Sequence, residues 1–245
     1  MIYAISGLKR TGKDTVSKFI QELTNAVPYA LANPIKKSIY NSLSVKGRRK
    51  DLSWEDINGE TEFDREKDLN ISTLELRTIL NNSVMYCNKN YSRFSKEELF
   101  YIFSEISKLK SHDCMSFMDV VSFSFANFFG NKERAKEIED KYKWSVRRLM
   151  QTIGTDLIVN ARRDYWLECI PDYEDIIITD IRQSHEMAYC RDVGAKIIFV
   201  VKSGIVSNDS HITERGLEPS ASDIIVYNDG TLESLKSKIE SIIGK

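Results

Sequence analysis

The sequence predicts an α/β fold in which a five-stranded parallel sheet is flanked by helices and carries a helical insertion. Residues 176–179 and 197–201 are continuous apolar runs rich in β-branched residues, a pattern typical of parallel strands that are covered on both faces. Short strands alternate with helices at both ends of the chain, but no convincing strand lies between residues 35 and 143. This alternation favours a parallel sheet with crossover helices.

The N-terminal segment predicts a strand, a glycine-rich turn and a helix in that order. Ile2–Ser6 is a short apolar run, and Gly7–Gly12 is rich in glycine and cations. From Lys13 to Leu23 the apolar residues recur at helical spacing. A second strand is expected at 29–31, followed by a helix that begins near Pro34.

The middle of the chain, residues 35–143, is expected to be a helical insertion. Four helices are predicted there, at 73–88, 95–110, 115–129 and 132–143. The third helix carries five phenylalanines, which are Phe117, Phe123, Phe125, Phe128 and Phe129. A base-stacking surface is one interpretation, but the spacing favours a helix whose rings are packed against neighbouring helices.

The C-terminal part returns to alternating strands and helices. A helix is expected from Trp144 towards Ile158, interrupted at Gly154. The elements that follow are expected at 176–179, 184–192, 197–201, 224–227 and 231–242. The predicted core therefore comprises residues 1–34 and 144–245, and the polar segment at about 202–217 is typical of a lid.

Composition narrows the classes of function. The 35 Lys and Arg residues are balanced by 36 Asp and Glu residues, so the net charge is −1 and provides no general attraction for nucleic acid. No apolar run approaches the roughly 20 residues of a membrane span. The four cysteines lie far apart, as expected for free thiols in a reducing compartment. We therefore expect a cytoplasmic protein that binds neither a membrane nor nucleic acid.

Residues 7–13, Gly-Leu-Lys-Arg-Thr-Gly-Lys, match the P-loop motif G-x-x-x-x-G-K. They lie between a predicted strand and a predicted helix, which is the context that the motif requires. In a P-loop the backbone N–H groups of Gly7, Thr11 and Gly12 turn towards phosphate, and Lys13 reaches the β- and γ-phosphates. A plain glycine turn before a helix is the alternative.

The residues around the motif indicate phosphoryl transfer with magnesium. Asp14 stands where the motif has Ser or Thr as the magnesium ligand, and Thr15 offers a hydroxyl one residue later. Either one is a candidate ligand for Mg²⁺, directly or through water. Lys9 and Arg10 add two cations beside the expected γ-phosphate, where charge spreads during transfer.

Two further clusters are candidates for ligand contact. Asp180 and Arg182 leave the carboxyl end of a predicted strand, with Glu186 one helical turn later. Asp180 is expected to hold magnesium through water and Arg182 to bind phosphate, although a helix cap with a surface Arg–Glu pair fits the same pattern. Arg147 and Arg148 are adjacent, so at least one of them is exposed or bound to a ligand.

The chain resembles the deoxynucleoside monophosphate kinases of T-even bacteriophages over nearly its whole length. The resemblance is carried by residues 7–15, 34–36, 64–66, 144–151, 154–160, 180, 182–183, 185–187, 207–209, 211–214 and 228–230. It is weakest at 41–58 and 88–140. In this family too an Asp follows the loop lysine.

The resemblance implies a P-loop kinase core with a helical monophosphate-binding insertion. It implies transfer of the ATP γ-phosphate to dGMP, dTMP and 5-hydroxymethyl-dCMP to supply phage DNA synthesis, and a homodimer is a further expectation. Donor phosphates are expected on residues 7–15, with Lys13, Lys9, Arg10 and Arg182 as catalytic cations. The expected acceptor-binding residues are Lys9, Ile35, Lys36, Arg65, Arg147, Arg148, Gly154, Thr155, Trp166, Asp180, Arg182, Glu186 and Thr213. Two alternatives stay open, which are a P-loop kinase for another small phosphorylated acceptor and a non-enzymatic nucleotide-binding switch.

Overall fold

The computed structural model describes residues 1–45, 47, 49–205 and 217–244, without the side chains of Val45 and Asp180. Most of the expected lid, including Thr213, lies outside the described residues. The chain divides into two compact units. Unit 1 comprises Met1–Asn33 and Asp164–Lys245, and unit 2 comprises Pro34–Arg163.

Unit 1 contains a five-stranded parallel sheet, which confirms the predicted fold class. The strands are β1 (Ile2–Ser6), β2 (Val27–Tyr29), β3 (Ile176–Ile181), β4 (Lys196–Val201) and β5 (Ile224–Tyr227), in the order β2-β3-β1-β4-β5. The predicted strand at 29–31 was placed two residues too late. Pro28 lies inside β2, where it is tolerated because β2 is an edge strand.

The α-helices are α1 (Lys13–Thr24), α2 (Asn33–Tyr40), α3 (Trp54–Asn58), α4 (Thr73–Asn90), α5 (Lys96–Lys108), α6 (Phe117–Phe128), α7 (Lys132–Asp140), α8 (Val146–Gln151), α9 (Tyr165–Glu168), α10 (Ser184–Asp192) and α11 (Leu232–Ile243). Segments of π-helix follow α2 at Asn41–Val45 and α8 at Thr152–Val159. Across the described part of the chain, the helices are all too short or too polar to span a membrane. The helix from Trp144 is not interrupted at Gly154, because the chain continues there as π-helix.

Both faces of the sheet are covered, as the apolar strands predict. Tyr3 and Ile5 point to the face covered by α1 and α11, whereas Ala4 points to the face covered by α9 and α10. The central strands are therefore buried on both sides, and each fully buried isoleucine contributes roughly 1.5–3 kcal/mol. This packing fixes the carboxyl end of β1, from which the glycine-rich loop leaves.

Residues 146–163 belong to unit 2 and pack with the helical insertion. The sequence predicts instead that residues 144–163 belong to the core. The π-helix Thr152–Val159 contacts α4 and α5. Arg162 forms a two-pronged ion pair with Glu98 and also donates to Ser92 Oγ at 2.8 Å. These contacts place the start of the second segment of unit 1 at Asp164.

The expectation that the phenylalanines of α6 are packed is wrong. Ala126 is the buried residue of α6, and the most exposed rings are Phe117 (79%), Phe125 (59%), Phe128 (85%) and Phe129 (72%). α6 contacts α7, which is shorter and mostly charged. A nine-residue charged helix cannot cover an apolar helix of twelve residues. The prediction is wrong because the periodicity of α6 indicates a helix but does not show which neighbours cover it.

The loop after β1 approaches β4 too closely for a side chain at residue 7. Gly7 has φ +149°, and a Cβ on it would lie 2.4 Å from the carbonyl oxygen of Val200. Gly194 also has a positive φ, +69°, but a Cβ there would have no neighbour within 4 Å. A side chain added at Gly194 would therefore strain only the backbone, whereas one added at Gly7 would strain the backbone and also collide with β4.

We expect Gly7→Ala to lower the free energy of unfolding by roughly 2–4 kcal/mol, because collision adds to backbone strain. Gly194→Ala is the matched control and should cost about 1 kcal/mol, since strain acts alone. Urea denaturation followed by circular dichroism measures both. Equal losses in the two variants would contradict the close approach of Gly7 to β4.

We expect Asp119 to make stability depend on acid pH. Hydrogen bonds from Tyr142, Ser116 and Lys141 lower the pKa of this carboxyl from 3.8 to about 2. The lowered pKa stabilises the folded chain above pH 4, and this stabilisation is lost as the pH falls through about 2. Asp119→Asn should therefore flatten the fall of Tm between pH 4 and pH 2. Parallel Tm profiles for wild type and variant would refute this expectation.

Candidate active site

The loop from Gly7 to Lys13 has a strongly curved backbone. Gly7, Arg10 and Gly12 all have positive φ, at +149°, +67° and +98°. The hydroxyl of buried Thr11 donates to the carbonyl oxygen of Leu8 at 2.9 Å and closes the turn. Alternation of such conformations turns successive N–H groups towards one side, which makes a concave site for an anion.

Asn228, just after β5, holds this loop from outside. Its side-chain Nδ2 donates to the carbonyl oxygen of Thr11 at 2.9 Å, and its backbone N–H donates to Val201 at 2.8 Å. A Cβ on Gly12 would lie 2.3 Å from Nδ2 of Asn228. Asn228 is not among the site residues predicted from the sequence, although its position at the carboxyl end of a parallel strand is a usable signal.

Lys13 folds back over the loop. Its Nζ donates to the carbonyl oxygens of Gly7 and Leu8, each at 2.8 Å. α1 begins immediately after Gly12, which has no side chain to cap the helix. The amino end of α1 and the ammonium group therefore both contribute positive potential to the loop.

Lys9 and Arg10 are both exposed at the tip of the loop. Together with Lys13 they place three cations within seven residues. This charge density, on a loop of turned N–H groups, is suited to a polyphosphate.

Asp14 and Thr15 offer oxygen ligands in the first turn of α1. Asp14 is exposed and Thr15 is half-buried. The described residues contain no group of three or more His, Cys, Asp or Glu side chains placed to hold a metal ion. Mg²⁺ commonly takes one or two protein ligands and completes its shell with phosphate oxygens and water, so the donor set at residues 14 and 15 fits that ion. The side chain of Asp180 is outside the described residues.

Glu186 is buried and acts as a helix cap for α10. Its Oε2 accepts from the backbone N–H groups of Arg182, at 2.7 Å, and Gln183, at 2.9 Å. The carboxylate thus fixes the backbone from which the half-buried Arg182 side chain departs. This is a positioning role, in addition to the acceptor contact that the resemblance implies.

Trp166 is almost fully buried in unit 1. Its ring packs edge-on against that of Tyr165, with the centroids 4.9 Å apart. Both rings belong to the short helix α9 and anchor it.

In unit 2, hydrogen bonds connect the three segments that carry three of the expected acceptor-binding cations, Lys36, Arg65 and Arg147. Lys36 Nζ donates to Asn58 Oδ1 at 2.8 Å, and Arg65 Nη1 lies 3.4 Å from the carbonyl oxygens of Ile57 and Asn58. The backbone N–H of Arg147 donates to the carbonyl oxygen of Arg65 at 2.9 Å. The end of α3 therefore orients both Lys36 and Arg65, and Arg147 is attached to the same segment.

Ile35 and Gly154 are in close contact within unit 2. A Cβ on Gly154 would lie 2.8 Å from Cδ1 of Ile35, so glycine makes room for the isoleucine. Thr155, the next residue, is half-buried.

Arg148 has a structural role that the sequence did not reveal. Its guanidinium donates to the carbonyl oxygens of Asp140, at 2.7 Å, and Lys141, at 3.1 Å, and also to that of Lys143. It stacks 4.2 Å from the centroid of the Trp144 ring. Burial lowers the pKa of this guanidinium, while neighbouring carboxylates oppose that shift. Of the two adjacent arginines, Arg148 therefore holds the end of α7.

Known proteins match this chain over almost its whole length. A family model described as deoxynucleotide monophosphate kinase matches residues 1–239. The deoxynucleotide monophosphate kinase of Enterobacteria phage T4 is 38% identical over 252 residues, which cover 98% of this chain and 97% of the relative. The enzyme of the same name from Escherichia phage RB69 is 34% identical over 257 residues, covering 98% of each chain. Because the family model and both relatives match almost the whole chain, this protein belongs to the deoxynucleotide monophosphate kinase family and is a nucleotide kinase.

Proposed function

We propose that the chain transfers the γ-phosphate of ATP to deoxynucleoside 5′-monophosphates. The observation that carries this proposal is the loop from Gly7 to Lys13, whose curved backbone and folded Lys13 are suited to a polyphosphate donor. The names of the two phage relatives support the class of acceptor. The products are ADP and a deoxynucleoside diphosphate.

In this proposal residues 7–15 hold ATP. The N–H groups of the loop and the start of α1 bind the β- and γ-phosphates. Lys13 leaves the loop carbonyls to contact the phosphates, while Lys9 and Arg10 neutralise charge that spreads over the transferring group. Arg182, whose backbone Glu186 fixes, is a further cation for that group.

Magnesium belongs to the same proposal. Asp14 and Thr15 would hold Mg²⁺ together with phosphate oxygens and water, and the ion supplies charge neutralisation on the β- and γ-phosphates. Asp180 stays a predicted water-mediated ligand.

For the acceptor monophosphate we propose Lys36, Arg65 and Arg147 of unit 2. Lys36 and Arg65 are both oriented by the end of α3. The packed pair Ile35 and Gly154, with Thr155 beside it, supplies the surface next to these cations. Arg148 is left out because its guanidinium holds carbonyl oxygens of α7 and the following turn. The acceptor contacts expected of Trp166 and Thr213 stay predictions.

The reaction needs no general base. The second pKa of a phosphate monoester is about 6, so an acceptor oxygen is already ionised at neutral pH. That oxygen forms a bond to the γ-phosphorus while the bond to the β–γ bridging oxygen breaks, and ADP leaves with the electron pair. Catalysis therefore consists of alignment and charge stabilisation, which suits a site built from cations rather than from an acid–base pair.

The test is a coupled assay of ADP release with ATP, Mg²⁺ and a panel of deoxy- and ribonucleoside monophosphates that includes dGMP, dTMP and 5-hydroxymethyl-dCMP. We expect turnover with at least two deoxynucleotides. If the protein binds ATP but releases no ADP with any nucleotide in the panel, the proposal is contradicted. That result would favour a kinase for another small acceptor or a nucleotide-binding switch.

Lys13→Met should lower kcat by at least about 10²–10³-fold, because the charge that stabilises the transferring phosphoryl group is lost. The far-ultraviolet circular dichroism spectrum should be unchanged. Lys18→Met, on an exposed position of the same helix, is the matched control and should keep near-normal activity. Near-normal kcat in Lys13→Met would remove this loop from the donor site.

Arg65→Ala should raise the KM for the deoxynucleotide at least about tenfold and leave the KM for ATP unchanged, because a hydrogen-bonded cation on the acceptor phosphate is lost. The control is Arg134→Ala, which removes an exposed arginine of unit 2 paired with Glu137. Steady-state kinetics with each substrate varied in turn provide the measurement. Unchanged acceptor kinetics would exclude Arg65 from the site.

A further inference from the structure

The short helix α3 is capped at both ends. Ser53 and Asp56 cap the amino end, each binding the backbone of the other. At the carboxyl end, Gly59 has φ +85°, and the N–H groups of Gly59 and Glu60 both donate to the carbonyl oxygen of Glu55 at 2.9 Å. Residues 57–60 are therefore held in one conformation.

The side chain of Asn58 links a cation to an anion. Its Oδ1 accepts from Lys36 Nζ at 2.8 Å, and its Nδ2 donates to Glu60 Oε1. Only this orientation of the amide satisfies both partners, because an ammonium group cannot accept and a carboxylate cannot donate. Asn58 Oδ1, a neutral oxygen, therefore helps to fix the position of Lys36 Nζ.

Arg65 uses the backbone of the same turn. A Cβ on Gly59 would lie 2.6 Å from Cζ of Arg65, so the guanidinium lies against Gly59, in space that a side chain would occupy. Its Nη1 faces the carbonyl oxygens of Ile57 and Asn58. One short turn therefore orients two cations that enter from different parts of the chain.

We propose that Asn58 is a positioning residue for the acceptor phosphate, which holds Lys36 through its side chain, while Gly59 leaves the space that Arg65 occupies. This inference rests on the proposed role of Lys36 and Arg65 in acceptor binding. Asn58 acts through Lys36 and needs no contact with substrate.

The physical reason is preorganisation. A lysine side chain has several rotatable bonds, and part of its rotamer entropy is lost on binding. A partner that fixes Nζ beforehand reduces that loss. The partner must also be neutral, because a carboxylate at position 58 would pair with Lys36 and compete with the phosphate for its charge.

The first test is Asn58→Ala in the full-length chain. We expect the KM for dGMP, or for the best acceptor in the panel, to rise about tenfold. The KM for ATP, the Tm and the circular dichroism spectrum should not change. Asn90→Ala is the matched control, since exposed Asn90 donates to the backbone of its own helix, at Tyr86. Calorimetric titration with dGMP should show the same loss of affinity without turnover.

The decisive test is a double-mutant cycle with Lys36→Met. If Asn58 acts through Lys36, the double variant should bind dGMP no more weakly than Lys36→Met alone. Asn58→Asp, which keeps the shape of the side chain, should raise the acceptor KM more than Asn58→Ala does. Gly59→Ala should also weaken dGMP binding, and this effect should be absent when Arg65 is already replaced by Ala.

The outcomes separate this inference from the function on which it rests. Suppose that the wild type is active. A normal acceptor KM for Asn58→Ala, or additive effects of Asn58→Ala and Lys36→Met, would then overturn the positioning role and leave the kinase proposal standing. Wild-type affinity for dGMP in Asn58→Asp would also overturn it. A wild type that neither binds nor phosphorylates any deoxynucleotide would overturn both.

Discussion

The close approach of Gly7 to the carbonyl oxygen of Val200 is the constraint on which the rest of unit 1's candidate site depends. It forces the chain to leave β1 in a conformation that only glycine adopts readily. The loop then returns under the side chain of Asn228, which binds Thr11 and lies against Gly12. Because both ends of the turn are fixed, α1 starts at a defined place and Lys13 reaches the loop carbonyls. The packing of the sheet therefore determines the shape of an anion site.

The cations of the two units share a physical principle. Lys13 donates to two carbonyl oxygens, and Lys36 donates to an amide oxygen. A neutral acceptor orients an ammonium group without itself neutralising the charge. Arg162 contrasts with them, because Glu98 neutralises it and the pair joins two segments of unit 2. The described contacts thus hold cations in two ways, through neutral oxygens and through a carboxylate.

Much of unit 1 could be predicted from the sequence. The central strands β1 and β4 are buried on both faces and appear as uninterrupted apolar runs. The edge strand β5, in which Ile225 and Tyr227 are exposed, also appears as an apolar run and coincides with its predicted range. The bounds of α10 and the cap at Thr231 were also predicted, since a polar cap before an apolar period is a local signal. β2 was misplaced because Pro28 suggests an interruption, and edge position is not visible in a local pattern.

Unit 2 shows where local reasoning stops. α3 was missed because five residues are too short for a helical period, although Ser53, Asp56 and Gly59 mark its two ends. The roles of Asn58 and Arg148 depend on partners that are brought together by tertiary packing. The exposure of the α6 phenylalanines follows from the shortness and charge of α7, which no property of α6 itself encodes. Contacts between distant segments, rather than propensities, determine these features.

The bond from Asn228 to Thr11 has a consequence for how the protein is made. Its partners are separated by 217 residues, so the loop between β1 and α1 lacks its outer support until Asn228 has been synthesised. At about 5–20 residues per second, that interval lasts roughly 10–40 s. Unit 2, residues 34–163, is complete on the ribosome well before the second segment of unit 1, which reaches β5 only at residues 224–227, has been synthesised. The glycine-rich loop is therefore among the last of the described parts to reach its final shape, because Asn228 can support it only after β5 has been added.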